Sequence, residues 1–485
     1  MKSYIIKPKS VRRSEVFNIN SYSIRDFLVI KNIDNPLVLK DLLEKSFINS
    51  NIDSKFYFEN TNHYLLTNKS ISSNSLLLDD KTLTGITPEG YKTKKACPVK
   101  VGDILVGNNG SLGDCLIIKE QKNIITNSNL TLLRFKQEVN PYYILGLLFT
   151  KWFKDCCRVI SSKSGTQEFI TRSALESVKI PFPTTANHSN PEKVETFISL
   201  VIQNIIDKEE QIKLKNKQIN ELIEKELREN QKAGSFSYSY PKISDLKEET
   251  RLDTGIYERE FKKMSKLIEN YSNGNYFLNE KKISPGVTPK DYYFSDYKRN
   301  KNFHDWVTPK NINQRQLAFH TYIFTKTKSK VQDNSLILNG IRYVGNGIFV
   351  EKGYSVYTNQ NTLIINQFEE KFKQLFLLCF LTSDLGKKMQ MIRRNFGIVP
   401  ILYTEHLCKI PIPNFSESKQ QSIAKLYYNP LEKNKVLDLE NYLEKEQIRN
   451  RQVGIFQLNM EIFDLREQLE DLVHKIVMEE KIEIS

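Results

Sequence analysis

Hydrophobic positions recur along this chain at two spacings, and the wider of the two organises it. From Pro191 to Lys232 the sequence is rich in Lys and Glu, with no glycine and no proline after Pro191. Ile198, Ile205, Ile212 and Ile219 fall every seventh residue, with Val201 and Leu222 three positions after two of them. That pattern predicts a long helix burying a narrow seam against one partner helix. At about 1.5 Å per residue it spans roughly 60 Å, more than the interior of one domain holds. A second run has the same period: Ile448, Ile455, Ile462, Leu469 and Ile476, with Leu458, Leu465 and Leu472 at the intervening seam positions. The shorter spacing belongs to runs such as Ile104–Val106 and Leu116–Ile118, which flank a glycine-rich turn and predict paired strands.

A spacer helix implies a globular unit at either end, and the two halves of the chain are alike. Gly102–Gly113 aligns with Asn334–Gly345, Thr126–Asn129 with Thr358–Asn361, and Ile144–Thr150 with Phe376–Thr382, all at an offset of 232 residues. Lys179-Ile-Pro-Phe-Pro183 then matches Lys409-Ile-Pro-Ile-Pro413 at an offset of 230. Each copy is followed by one of the heptad runs. The expected fold is mixed α/β (α+β): two tandem α/β units with two long antiparallel coiled-coil helices between them, related by a pseudo-twofold axis. The expected boundaries are 1–185 for the first unit, 186–232 for the central helix, 233–415 for the second unit and 416–485 for the C-terminal helix. The helix-pair seam comprises Ile198, Ile205, Ile212 and Ile219 on one side. On the other it comprises Ile455, Leu458, Ile462, Leu465, Leu469, Leu472 and Ile476.

Residues before Thr93 are less legible. Tyr22–Asn32 and Leu37–Phe47 have a helical look, and Asn49–Ser75 suggests short strands and loops. Their faint counterpart is Ser235–Thr327.

Composition narrows the partners. A formal net charge of +14 favours a polyanion. The first ten residues are polar, and the longest apolar runs fall far short of the roughly 20 residues that span a bilayer, so a cytoplasmic protein with no membrane association is expected. The cysteines show no C-x-x-C pair and the histidines no ligand spacing, so neither metal nor disulfide is expected.

Candidate DNA contacts cluster in each repeat. The turn Gly107–Gly113 lacks the Gly-Lys-Ser/Thr of a phosphate-binding loop, which leaves a plain hairpin or a loop approaching DNA through Asn108, Asn109 and Ser111. In the second copy Arg342 and Tyr343 stand at the tip. Each apolar helix leads to a basic turn, with Arg158, Lys163, Ser164, Thr166 and Gln167 in one copy and Arg393, Arg394 and Asn395 in the other. Such residues contact phosphates and bases, or oppose a helix macrodipole. Lys95, Lys298 and Arg299 are further basic candidates.

Catalytic motifs are not apparent. Asn140-Pro141-Tyr142-Tyr143 approaches the Asn/Asp-Pro-Pro-aromatic motif of adenine methyltransferases but lacks its second proline. Taken together, the duplicated Gly-Asp-Ile-Leu-Val strand and turn, the Ser-Gly-Thr-Gln turn at Ser164–Gln167, the Lys-Ile-Pro-x-Pro exits and the helix after each resemble the specificity subunit of Type I restriction-modification systems. Copy two departs from the pattern, with Phe396-Gly-Ile-Val399 in place of Ser-Gly-Thr-Gln. The resemblance implies a non-catalytic subunit of a methyltransferase and restriction complex, whose two target recognition domains read a bipartite sequence in double-stranded DNA. It implies docking to two copies of the adenine methyltransferase subunit and to restriction/translocase subunits. S-adenosylmethionine, ATP and Mg would serve those partners, with no cofactor bound by this chain. The alternatives are the specificity module of a split Type IIG-like methyltransferase/endonuclease and a non-catalytic coiled-coil assembly protein.

Overall fold

The computed structural model describes residues 37–72, 74–92, 97–164, 166–185, 190–234, 236–249, 254–295, 302–327, 330–395, 399–433 and 439–482. The helix expected at Tyr22–Asn32 lies outside them. The main helices, in chain order, are α1 (Pro141–Leu148), α2 (Lys151–Ile160), α3 (Pro191–Glu229), α4 (Lys371–Leu381), α5 (Asp384–Arg393), α6 (Glu417–Tyr427), α7 (Tyr442–Gln452) and α8 (Ile455–Val477). The chain divides into two compact units: the first holds Met1–Glu210, Lys433–Arg451 and Met460–Ser485, the second Gln211–Glu432 and Gln452–Asn459.

The strands of the first unit are β1 (Leu43–Phe47), β2 (His63–Leu66), β3 (Thr84–Gly85), β4 (Ile104–Gly107), β5 (Cys115–Ile117), β6 (Asn123–Thr126), β7 (Leu130–Phe135), β8 (Ser162–Ser164) and β9 (Gln167–Phe169). They form a sheet ordered β1-β7-β4-β5, a second ordered β3-β2-β6, and the hairpin β8–β9. Ile104–Val106 and Leu116–Ile118 are continuous apolar runs, and the core is built from such strands, with Leu105, Leu116, Leu130 and Leu132 in one buried cluster. Leu37–Phe47 corrects the helical expectation. It is a short strand, a single helical turn and β1, because Leu37 and Val38 pair with Ile180 and Lys179 of the Lys-Ile-Pro exit.

The second unit holds β10 (Ile283–Pro285), β11 (Tyr292–Ser295), β12 (Phe303–Val307), β13 (Tyr322–Thr325), β14 (Leu336–Asn339), β15 (Gly347–Phe349), β16 (Val356–Thr358) and β17 (Thr362–Ile365). Its sheets are ordered β10-β17-β14-β15 and β11-β13-β12-β16. The duplication extends to strand register. Ile104 faces Leu133 and Ile117, and Leu336, 232 residues on, faces Ile365 and Phe349. Upstream, Tyr64 pairs in parallel with Ile124 while Asp305 pairs with Val356, so the offset there is 241. Copy two is nine residues shorter between these strands, which is why the similarity fades before Thr93.

Helix α3 buries Ile198, Val201, Ile205, Ile212 and Ile219 as its heptads predict. In the first unit α8 runs antiparallel to it: Glu461 meets Lys208, Arg466 meets Glu209, and Leu469 lies with Ile198 and Ile202 around Gly146 of α1. Ile455, Leu458, Ile462, Leu469, Leu472 and Ile476 are buried, and Leu465 is half-buried. The single C-terminal helix expected over 416–485 is instead three helices, α6, α7 and α8. Pro430 lacks the amide that would continue α6. Gly454 packs so tightly on Asn429 that a Cβ there would lie 2.4 Å from its backbone nitrogen. Ile448, in phase with the heptads, is therefore 52% exposed on α7.

One loop in each unit docks on both helices. In the first, Ser75 and Leu76 bond Glu209 of α3 while Asn74 accepts from Arg466 of α8. In the second, Arg315 bonds Asn216 of α3 and Leu317 bonds Asn459 of α8. Glu209 thus corresponds to Asn459, an offset of 250 against 230 at the exits, and the excess is about the length of the excursion that carries α7.

Candidate nucleic-acid interface

In the first unit the β4–β5 turn is built on backbone geometry that favours glycine. Gly110 and Gly113 have φ of +79° and +76°, and a Cβ on Gly107 would lie 2.1 Å from the Ser111 carbonyl. Asn108, predicted to face DNA, is instead buried. Its amide donates to the Ser128 carbonyl at 3.1 Å and to Thr131 at 3.3 Å, while its own carbonyl accepts from Ile170 at 2.8 Å. Those bonds tie the turn to the hairpin β8–β9, and Asn109 bridges to Phe169. The Asn68 amide donates to the Asn109 carbonyl at 3.4 Å.

Three segments distant in sequence therefore meet: the turn 107–113, the hairpin tip 162–169 and the turn carrying Asn68 and Lys69. Lys69, Lys163, Thr166 and Gln167 are exposed there. Lys163 is 3.1 Å from Glu168, and Arg158, also exposed, is 2.8 Å from Asp155. Ser111 is half-buried, and its hydroxyl makes no hydrogen bond among the described residues. The backbone of Ser164 is in β8. Sequence reasoning missed Asn68 and Lys69 because only the fold brings them to the turn.

The second unit repeats this scaffold. The Gly340 amide donates to Asn361 at 3.0 Å and its carbonyl accepts from Leu402 at 2.8 Å, as Asn108 does with Asn129 and Ile170. The tips differ. Arg342, at φ 62°, and Tyr343, 56% exposed, stand where the first unit has Gly110 and Ser111. Asn395 is exposed and donates its backbone N–H to the Ile401 carbonyl.

Arg393 is not at this surface. It is buried against Glu249, with bonds of 3.0 to 3.3 Å, and its guanidinium lies 5.4 Å from the Phe261 ring centroid. Burial raises the Glu249 pKa, but Arg393 and Lys409 outweigh it and hold the carboxyl below its ordinary range. Arg393 is thus a packing cation, and its neighbour Arg394 is half-buried beside Met391. Lys95, Lys298 and Arg299 lie outside the described residues.

A second feature escaped sequence reading altogether. Tyr57 and Phe58 are 47% and 58% exposed beside β3, and Tyr292, Tyr293 and Phe294 are 44–48% exposed on β11, beside β13. Tyr57 bridges Ile86 as Phe294 pairs with Ile323. The signal was an aromatic triplet in each copy, Phe56-Tyr-Phe58 and Tyr292-Tyr-Phe294, hidden by the shifted offset.

Among the described residues no group of three or more His, Cys, Asp or Glu is placed to hold a metal ion. No helix among them is long and apolar enough to cross a membrane.

Residues 36–225 match the family model of the Type I restriction modification DNA specificity domain. No curated protein matches the chain. Among solved structures, the Type I restriction-modification S subunit of M. genitalium is 11% identical, with a TM-score of 0.38 over 94% of this chain and 98% of that one. The HsdS subunit of Thermoanaerobacter tengcongensis is also 11% identical, with a TM-score of 0.28 over 91% and 95%. The type IIG restriction endonuclease BpuSI is 13% identical over 33% of this chain and 19% of that one, with a TM-score of 0.18. Over residues 36–225 the chain is thus similar to the Type I restriction modification DNA specificity domain.

Proposed function

We propose that the chain is a non-catalytic DNA-reading subunit that recognises a bipartite duplex sequence, one half with each unit. The observation that carries this reading is a duplicated scaffold with unlike tips. Register and closing backbone bonds repeat at 232 residues, yet Arg342 and Tyr343 in one copy occupy the positions that Gly110 and Ser111 hold in the other. Backbones alike and solvent-facing tips unlike suit two different half-sequences. Lys69, Lys163, Thr166 and Gln167 are the contacts assigned to the first half, and Arg342, Tyr343 and Asn395 to the second.

On this reading α3 and α8 set the unspecified gap between the halves. At about 3.4 Å per base pair, roughly 60 Å of helix holds readers no more than roughly 18 base pairs apart. The chain docks two adenine methyltransferase subunits, to which restriction subunits add. S-adenosylmethionine, ATP and Mg then belong to those partners, and the complex works in the cytoplasm.

Single-molecule methylome sequencing of the host with and without the gene tests the proposal. A split motif methylated only when the gene is present supports it. A contiguous motif, or no change, refutes it. The purified chain with S-adenosylmethionine and DNA should transfer no methyl group.

A further inference from the structure

We propose that the exposed aromatic edge of each unit is a second DNA contact that lays ring faces against nucleobases, apart from the turns that approach the groove. The inference rests on the DNA-reading function above. In the second unit β11 is the outermost strand of its sheet among the described residues. Tyr292 and Phe294 point to one face and lean on Trp306, with centroids 6.4 and 5.5 Å away. Tyr293 points to the other and stacks on Phe324 at 5.0 Å. Each ring is thus held by a buried or half-buried aromatic while close to half of it stays in water. Rings held in this way can receive a flat partner with little loss of side-chain freedom.

Recurrence argues against accident. The two copies have diverged by nine residues in this region, and the first unit still places Tyr57 and Phe58 at the corresponding sheet edge. A bare apolar patch in either copy would be an aggregation liability. Charge selects the occupant. Lys290 and Lys326 are both exposed at the Tyr292 end of β11, where the register sets Lys326 opposite Asp291, and exposed Lys55 lies 5.1 Å from the Phe56 ring in the first unit. Lys55 also lies 3.6 Å from Asp53, so the local charge is mixed, but in a chain of net charge +14 aromatic triplets flanked by lysines suit a nucleic-acid strand whose bases stack on the rings.

Trp306 is one of two tryptophans in the chain, and it sits beneath Tyr292 and Phe294. In full-length protein with Trp152→Phe, adding single-stranded oligothymidylate should quench Trp306 emission. Tyr292→Ala with Phe294→Ala should abolish the quench and weaken binding of the methylated-motif duplex roughly 10-fold, since stacking contributes on the order of 1–3 kcal/mol per base. The slope of log affinity against log salt should stay as in the unmodified chain, because no phosphate contact is lost. Tyr292→Phe should retain affinity. Tyr57→Ala with Phe58→Ala, remote from Trp306 in sequence and unit, supplies the independent variant if the first pair misfolds. Unchanged duplex affinity in both pairs overturns the proposal, as does loss of a co-purifying protein with DNA affinity intact. If the unmodified chain, assembled with its partners, fails to prefer its motif duplex over a scrambled one, the DNA-reading function itself fails instead.

Discussion

Replacing Lys208 by methionine should expose how strongly the helices of the first unit depend on one buried cation. The Lys208 ammonium donates to Glu461 at 2.7 Å, to Asn450 at 2.7 Å and to Glu446 at 3.3 Å, and all four side chains are buried. Arg449 adds bonds to Glu461 at 2.5 and 2.8 Å. The gross attraction of one such pair is about 4 kcal/mol at an effective dielectric near 20, but the net worth of the cluster is smaller because every ion left water to join it. Lys208→Met leaves two buried carboxylates sharing one guanidinium, and removal of one partner costs about 3–5 kcal/mol. For a unit of this size that corresponds to a fall of roughly 10 °C in the melting transition. Acidity supplies the internal control. Burial pushes the Glu461 carboxyl up, yet Arg449 and Lys208 together hold it below its ordinary pKa of 4.5. A depressed carboxyl contributes stability above the unfolded value and loses it as pH falls through the folded one. The unmodified chain should therefore lose stability below about pH 4.5, and the gap to Lys208→Met should narrow as pH falls, because Glu461 without Lys208 takes up its proton more readily and sheds the uncompensated charge. Thermal melts followed by circular dichroism at neutral and acid pH, together with the rescue variant Lys208→Met/Glu461→Gln, decide the matter. A loss under about 1 kcal/mol, a gap indifferent to pH, or no recovery in the double variant refutes the assignment.

Further expectations concern the second unit and the helices. Arg315 is fully buried and donates to Asn216 at 2.9 Å and to the Thr382 hydroxyl and carbonyl, each at 2.9 Å; lysine cannot reproduce that fork, so Arg315→Lys should cost roughly 3 kcal/mol, seen as faster hydrogen exchange around Thr382. Arg393→Ala should destabilise the second unit by about 3 kcal/mol through the orphaned Glu249. Selective loss of affinity for one half-site with the melting transition unchanged would return Arg393 to the interface. Arg342→Ala with Tyr343→Ala should lower discrimination at one half-site only, measured by competition between duplexes altered in either half. Removing one heptad from each of α3 and α8 should change the methylated gap while leaving both halves as they were, and an unchanged gap in the methylome discounts the helices as a ruler.

Much of this was legible from residue pattern because the repeats are held together by backbone. The strand pairing around Ile104 and Leu336, the Lys-Ile-Pro exits and the buried face of α3 depend on apolar spacing alone, and apolar spacing survives divergence. What stayed hidden depends on tertiary contact. Asn108 looked like a polar tip residue, but its amide satisfies carbonyls at Ser128 and Thr131, which no local pattern announces. Arg393 looked like a basic turn, until Glu249 proved to be its partner 144 residues away. Ile448 fitted the heptads by arithmetic, yet the break at Gly454 takes it out of the seam, and the aromatic edges were concealed by nine missing residues.

Helix α8 carries a consequence for the order in which the molecule can be made. Met460–Ser485 are made after the whole of the second unit, yet they belong to the unit whose sheets were synthesised first. Until they arrive, Ile198, Ile202 and Gly146 lack the leucine at 469 that closes over them. A nascent or prematurely stopped polypeptide therefore displays a long greasy stripe, and it must be shielded by a chaperone, digested, or capped by the same stretch from a sister molecule.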